Sequence, residues 1–170
     1  DAAFPEDPDV ETLFAEALIN RTPWQLWDLP SGQPAAGADT LEAQAVLERS
    51  LAARAAAGEA PHPGLLHVYL HTMEMSLRPE AALRAADALR DLVPDAGHLR
   101  HMASHIDVLC GNYHDSLEAN ERAIAADDRY FAHAPDATFY SLYRSHNLHF
   151  KIYSALFLGR SQLALEGAKQ

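Results

Sequence analysis

The stretch HLRHMASHIDVLCGNYHDSLEANERAIAADD, residues 98–128, decides the fold. Apolar residues recur at helical spacing on both sides of a Gly-Asn-Tyr turn at residues 111–113. Helices are therefore predicted over about 96–110 and 114–126. Two helices joined by so short a turn form a helical hairpin, and the rest of the chain repeats this pattern.

The chain around this hairpin also favours helices, and no segment shows the sustained alternation of a strand. Residues 21–38 are rich in Pro and Gly, which predicts a long ordered loop held to the core by Trp24 and Trp27. A second loop is predicted over 127–138. The remaining helices are predicted over residues 10–19, 39–57, 63–76, 79–93, 138–158 and 161–168.

Composition narrows the function classes. The 170 residues suit one domain, and 48% hydrophobic with 22% charged residues is typical of a soluble protein, with the cytoplasm slightly favoured. A net charge of −11 argues against nucleic acid as a partner and favours cations.

No run is long and apolar enough for a membrane span, and a single cysteine, Cys110, excludes an intrachain disulfide. The start, Asp-Ala-Ala without Met, is typical of a mature or excised piece of a longer protein.

The second half of the opening stretch, with Gly111, Tyr113, Leu117 and Ala123, resembles the second helix of a tetratricopeptide repeat and the turn before it. The HPG, HxxxH, HxxHxxxH and HNxHF signatures of the chain also resemble a group of bacterial tetratricopeptide-like proteins. This resemblance implies an all-α solenoid of about four helical hairpins, with seven to eight helices in one domain over residues 1–170. Its parts are a divergent first hairpin with the Trp-containing loop at 1–62 and repeats at 63–94, 95–128 and 138–169.

The repeat register also aligns the histidines. A shift of 34 residues, the tetratricopeptide period, places Leu117 on Leu83 and the position after the second helix on Pro94. A shift of 48 residues places Gly111 on Gly159. The same shifts align three sets of positions: His98 with His146 and Gly64, His101 with His67 and His149, and His105 with His71 and Tyr153. In tetratricopeptide proteins these first-helix positions face a concave ligand-binding groove, so the resemblance implies a groove lined with imidazoles.

Imidazole nitrogen is the commonest protein ligand for transition metals near neutral pH. Histidines four residues apart lie on one face of a helix and can chelate one ion, as in His67/His71 and His101/His105. Nitrogen ligands favour Zn, Cu, Fe or Ni over Mg or Ca. The predicted metal ligands are His67, His71, His101, His105 and His149 at the centre, with Glu74, Tyr153, His98 and His146 around them.

Other interpretations stay open. Duplicated repeats can retain a packing histidine, and the same groove can bind a peptide, a small molecule or a protein partner without metal. Metal storage or sensing without turnover is a third interpretation. The pattern assigns no catalytic residue, although an ion with only three or four protein ligands keeps a position open for chemistry.

Overall fold

A computed structural model describes Phe4 and residues 6–170. The fold is all-α, as the sequence predicts. Short 3-10 turns at Pro79–Ala82 and Thr138–Tyr140 precede the fourth and seventh helices. The helices are α1 (Pro8–Ile19), α2 (Thr40–Ala56), α3 (Pro63–Met73), α4 (Leu83–Leu89), α5 (Gly97–Cys110), α6 (Tyr113–His133), α7 (Ser141–Phe157) and α8 (Ser161–Gly167).

The chain divides into two compact units, Asp1–Ala88 and Leu89–Gln170. In the first unit α1, α2 and α3 pack on one another around apolar residues such as Leu47, Leu65 and Leu70, which are fully buried. The Asp7 carboxylate accepts hydrogen bonds from two backbone N–H groups at the start of α1 and so caps it.

The loop between α1 and α2 is ordered, as predicted, and contains a small antiparallel pair of strands, β1 (Trp27–Asp28) and β2 (Gln33–Pro34). Trp27 attaches this loop to α3, because its indole N–H donates to the carbonyl of Thr72 at 2.7 Å. Trp24 does not anchor the loop in the core as predicted: the residue is 73% exposed, and its ring meets that of His71 edge-on at 6.5 Å.

In the second unit each helix packs on the next in sequence, and α7 contacts α5 as well as α6. Gly111 ends α5 with a φ of 80°, a left-handed conformation that glycine adopts without steric cost. Leu117, Ala155 and Ala164 form a buried cluster that joins α6, α7 and α8. This packing places α5 and α7 side by side along α6.

The sequence places the end of the sixth helix too early. α6 continues to His133, so the loop predicted over 127–138 is confined to residues 134–137, before the 3-10 turn at Thr138–Tyr140. Asp127 falls in the predicted loop, yet its carboxylate is buried and accepts hydrogen bonds from Tyr140 Oη at 2.9 Å and Asn147 Nδ2 at 2.7 Å. These bonds give each of the two buried carboxylate oxygens a donor. Among the described residues no helix is long and apolar enough to span a membrane.

Candidate metal centre

His101 and His105 lie one turn apart on α5 and point their Nε2 atoms at each other across 2.8 Å. The ring centroids are 4.7 Å apart and the ring planes are almost perpendicular. His101 is fully buried and His105 is 9% exposed. The spacing of four residues on a helix explains the pair, as the sequence predicts.

A third imidazole reaches this pair from α7. The Nε2 atom of His146 lies 3.5 Å from Nε2 of His105, and the His146 ring centroid is 4.6 Å from that of His101. One nitrogen from each of the three rings falls within 4.8 Å of the other two. Tetrahedral coordination with metal–nitrogen bonds of about 2.0–2.1 Å separates ligand nitrogens by about 3.3 Å. The two Nε2–Nε2 distances to His105, 2.8 and 3.5 Å, lie on either side of this value. We call His101, His105 and His146 the histidine triad.

Phe150 covers the histidine triad. Its ring centroid lies 4.8 Å from His101, 4.7 Å from His105 and 5.0 Å from His146. The residue lies one helical turn after His146, so the two share a face of α7. That spacing within HNLHF was available in the sequence, but Phe150 was not among the predicted site residues.

α6 contacts the triad through a hydrogen bond between Asn120 and His101. The Nδ1 atom of His101 lies 2.7 Å from Oδ1 of Asn120, a fully buried side chain that sequence reasoning also missed. Leu117, Asn120 and Ile124 share one face of a predicted helix. An amide on that otherwise apolar face was the available signal, because buried amides need specific partners.

Burial holds the pKa of His101 well below its ordinary value of 6.5, and the adjacent His105 lowers it further. The hydrogen bond with Asn120 acts in the opposite direction but is a smaller effect. His101 is therefore neutral at physiological pH. A neutral imidazole has the lone pair that a metal ion requires.

The remaining predicted ligands of the second unit lie outside the triad. His98 stacks at 6.2 Å from the His101 ring and contacts Tyr143 at 5.0 Å. His149, predicted at the centre, is exposed and is absent from the group of close nitrogens. Tyr153 is 48% exposed and packs against Phe157 at 4.7 Å. The structure thus places His146 in the triad, although the repeat register favours His149.

In the first unit α3 carries the second predicted pair. The His67 and His71 rings have centroids 4.8 Å apart, nearly perpendicular to each other. Glu74, predicted as an oxygen ligand, lies 2.8 Å from Nδ1 of His71 through its Oε1 atom. The carboxylate therefore orients the His71 ring, with Nδ1 towards Glu74 and Nε2 on the opposite side of the ring.

Two buried carboxylates stabilise the helices that carry the triad. Asp107 on α5 is fully buried and accepts two hydrogen bonds from the Arg90 guanidinium, both at 2.7 Å. Asp127 on α6 lies beneath the start of α5, where a Cβ on Gly97 would fall 1.9 Å from its Oδ1 atom. Burial raises the pKa of Asp127, while hydrogen bonds from Tyr140 and Asn147 oppose that rise.

Comparisons with protein-family models, with curated proteins and with solved structures gave no significant match.

Proposed function

We propose that this protein binds a divalent transition-metal ion through Nε2 of His101, His105 and His146. The approach of these three nitrogens, from two different helices, is the observation that carries the proposal. Three imidazoles packed at such short distances lose solvation, and an ion that accepts all three lone pairs compensates for that loss. None of the described carboxylates or thiols belongs to this group, so the ligand set is nitrogen alone.

The ligand chemistry favours Zn, Cu, Ni or Fe. Neutral imidazole suits these metals, whereas Mg and Ca require oxygen ligands. Three protein nitrogens leave at least one coordination position for water or a small ligand. Phe150 shields one side of the triad, so that ligand has to approach from elsewhere.

We further propose that α5/α6 and α7/α8 are consecutive tetratricopeptide-like hairpins. The packing of α7 against both helices of the preceding hairpin supports this proposal. Gly111 and Gly159, which the shift of 48 residues aligns, both adopt a left-handed conformation with φ of 80° and 70°. In this arrangement the triad is built from the first helix of each hairpin.

The experiment is metal analysis of the protein purified from medium that contains Zn, Cu, Ni and Fe. We expect one ion per chain at the triad in the wild type and its loss in the double variant His101→Ala/His105→Ala. The matched control is His67→Ala/His71→Ala, which removes an equivalent pair on α3 and should retain the ion at the triad. A wild type without stoichiometric metal, or a triad variant with unchanged metal content, would overturn the proposal.

A further inference from the structure

Asn120 links the triad to the interior of the second unit. Its side chain, fully buried on α6, makes two hydrogen bonds: one to His101 Nδ1 at 2.7 Å and one from its own Nδ2 to the carbonyl of Ser116 at 2.8 Å. Ser116 in turn contacts Ser154 of α7 through the two hydroxyl groups at 2.7 Å. The chain of contacts therefore runs from a triad ligand through α6 to α7.

The orientation of the Asn120 amide follows from these contacts alone. The carbonyl of Ser116 has only lone pairs, so the Asn120 atom that faces it has to be the NH2 group. The amide oxygen must then face His101. Because this oxygen can only accept, Nδ1 of His101 has to be the donor.

The hydroxyl of Ser104 is consistent with the same assignment. The Ser104 hydroxyl donates its proton to the carbonyl of His101 at 2.6 Å. Its oxygen also lies 3.3 Å from Nδ1 of His101, and with its proton already donated it can only accept a hydrogen bond there. With the single proton of a neutral imidazole on Nδ1, the lone pair is on Nε2. That lone pair points towards the nitrogens of His105 and His146.

We infer that Asn120 is a positioning residue that holds His101 in the Nδ1-protonated tautomer and so presents Nε2 to the ion. The tautomer assignment stands on the hydrogen-bond geometry; only its consequence for metal affinity rests on the proposed function. Outer partners of this kind set both the tautomer and the ring orientation of histidine ligands.

A neutral amide suits this position better than a carboxylate would. Asn120 has no solvent exposure, and a buried carboxylate would carry an unfavourable desolvation free energy. The amide also satisfies two partners of opposite type, a donor and an acceptor, which a carboxylate cannot do. Aspartate at position 120 would place a carboxylate oxygen against the Ser116 carbonyl.

The test is long-range proton–nitrogen NMR on histidine-labelled protein that has been treated with chelator, at a pH where the imidazoles are neutral. In the wild type we expect the Nδ1-protonated pattern for His101. In Asn120→Leu, which has a similar volume and no acceptor, we expect the Nε2-protonated form or a mixture. The matched control is Ser104→Ala, which removes the more distant acceptor and should keep the wild-type pattern.

An Nε2-protonated His101 in the wild type would overturn the inference. This measurement uses only the wild-type protein, so it does not depend on whether a variant folds. A folded Asn120→Leu protein with an unchanged Nδ1-protonated pattern would also overturn it. For metal affinity, Zn²⁺ titration should show binding about 10–100-fold weaker in Asn120→Leu than in Ser104→Ala. If wild-type protein shows the expected tautomer but does not bind Zn²⁺ or the other ions, the proposed function fails and the assignment of Asn120 stands.

Discussion

His146 on α7 places its Nε2 atom 3.5 Å from Nε2 of His105 on α5, whereas His149, three residues further along the same helix, is exposed. This difference allows a direct comparison of two histidines in one helix. Replacement of His146 by Ala should weaken Zn²⁺ binding by about 100-fold or more. Removal of an outer partner of a metal ligand already costs about 10–100-fold in affinity, and His146 is a proposed ligand itself. Isothermal titration calorimetry measures the change.

His149→Ala is the matched control for this comparison, with the same residue type, substitution and helix. It should bind Zn²⁺ as the wild type does, because its side chain is outside the triad. Equal affinity losses in the two variants would contradict the assignment of the third ligand to His146.

The pKa of His101 predicts a specific pH dependence of stability in the chelator-treated protein. Its pKa in the folded protein lies well below 6.5, the value expected in the unfolded chain. Below pH 6.5 the unfolded chain therefore binds a proton that the folded protein does not, and the free energy of unfolding falls as the pH decreases towards the folded-state pKa. The slope from this one group approaches about 1.4 kcal/mol per pH unit.

Urea unfolding across this pH range measures the effect. His101→Gln removes the titrating group and should flatten the curve below pH 6.5. The exposed His114 supplies the control, because His114→Ala leaves His101 intact and should retain the wild-type slope. A slope that is the same in His101→Gln and wild type would show that another group is responsible.

Phe150 should stabilise the triad by packing, since its ring contacts all three imidazoles at 4.7–5.0 Å. Phe150→Ala should lower the free energy of unfolding by about 3 kcal/mol and admit water to the triad. Phe150→Leu keeps most of the apolar volume and should cost less than half of that. Urea unfolding and near-UV circular dichroism test this, and a Phe150→Ala protein as stable as the wild type would contradict it.

The bidentate pair between Arg90 and Asp107 should contribute more to stability than the exposed pairs of the second unit. Arg90→Ala removes two hydrogen bonds from a fully buried carboxylate and should destabilise the protein by about 3 kcal/mol or more. Arg129→Ala breaks an exposed pair with Asp95 and should change stability by at most about 1 kcal/mol. Thermal unfolding of both variants compares them, and similar losses would argue against a special role for Arg90.

Gly97 permits close contact between α5 and α6. A methyl group at this position would overlap Asp127 Oδ1 at 1.9 Å, so Gly97→Ala should destabilise the protein by about 1–3 kcal/mol. The same substitution in an Asp127→Ala background should cost less, because the nearest clash is removed. A double-mutant cycle measures this coupling, and strictly additive losses would mean that Asp127 is not the obstacle.

Much of the site follows from local spacing along the sequence. The His101/His105 pair and the hairpin around Gly111 required only the helical period and a glycine turn, and both predictions are confirmed. The repeat register favours His149, whereas the structure places His146 beside His105, because the register aligns positions but does not fix the rotation of α7 about its axis. Successive residues differ by about 100° in direction, so these two histidines, three residues apart, are about 60° apart around the helix.

Partners contributed by a different helix were harder to predict. Asn120 lies in the helix predicted over 114–126 and Asp127 in the loop predicted over 127–138, and nothing in the local pattern names a partner for either side chain. Their partners, His101 for Asn120 and Tyr140 and Asn147 for Asp127, lie 13–20 residues away in the sequence. Only the packed structure brings such groups together, so the extension of α6 to His133 and the orientation of His101 were not predictable from the pattern.

The separation of His105 and His146 by 41 residues has a consequence for protein synthesis. When α5 and α6 have been synthesised, only two of the three imidazoles of the triad are present, those of His101 and His105. The third arrives with α7, and it reaches the others only after that helix has docked on α5 and α6. An ion bound through all three imidazoles, as proposed, would therefore be captured only after α7 has docked.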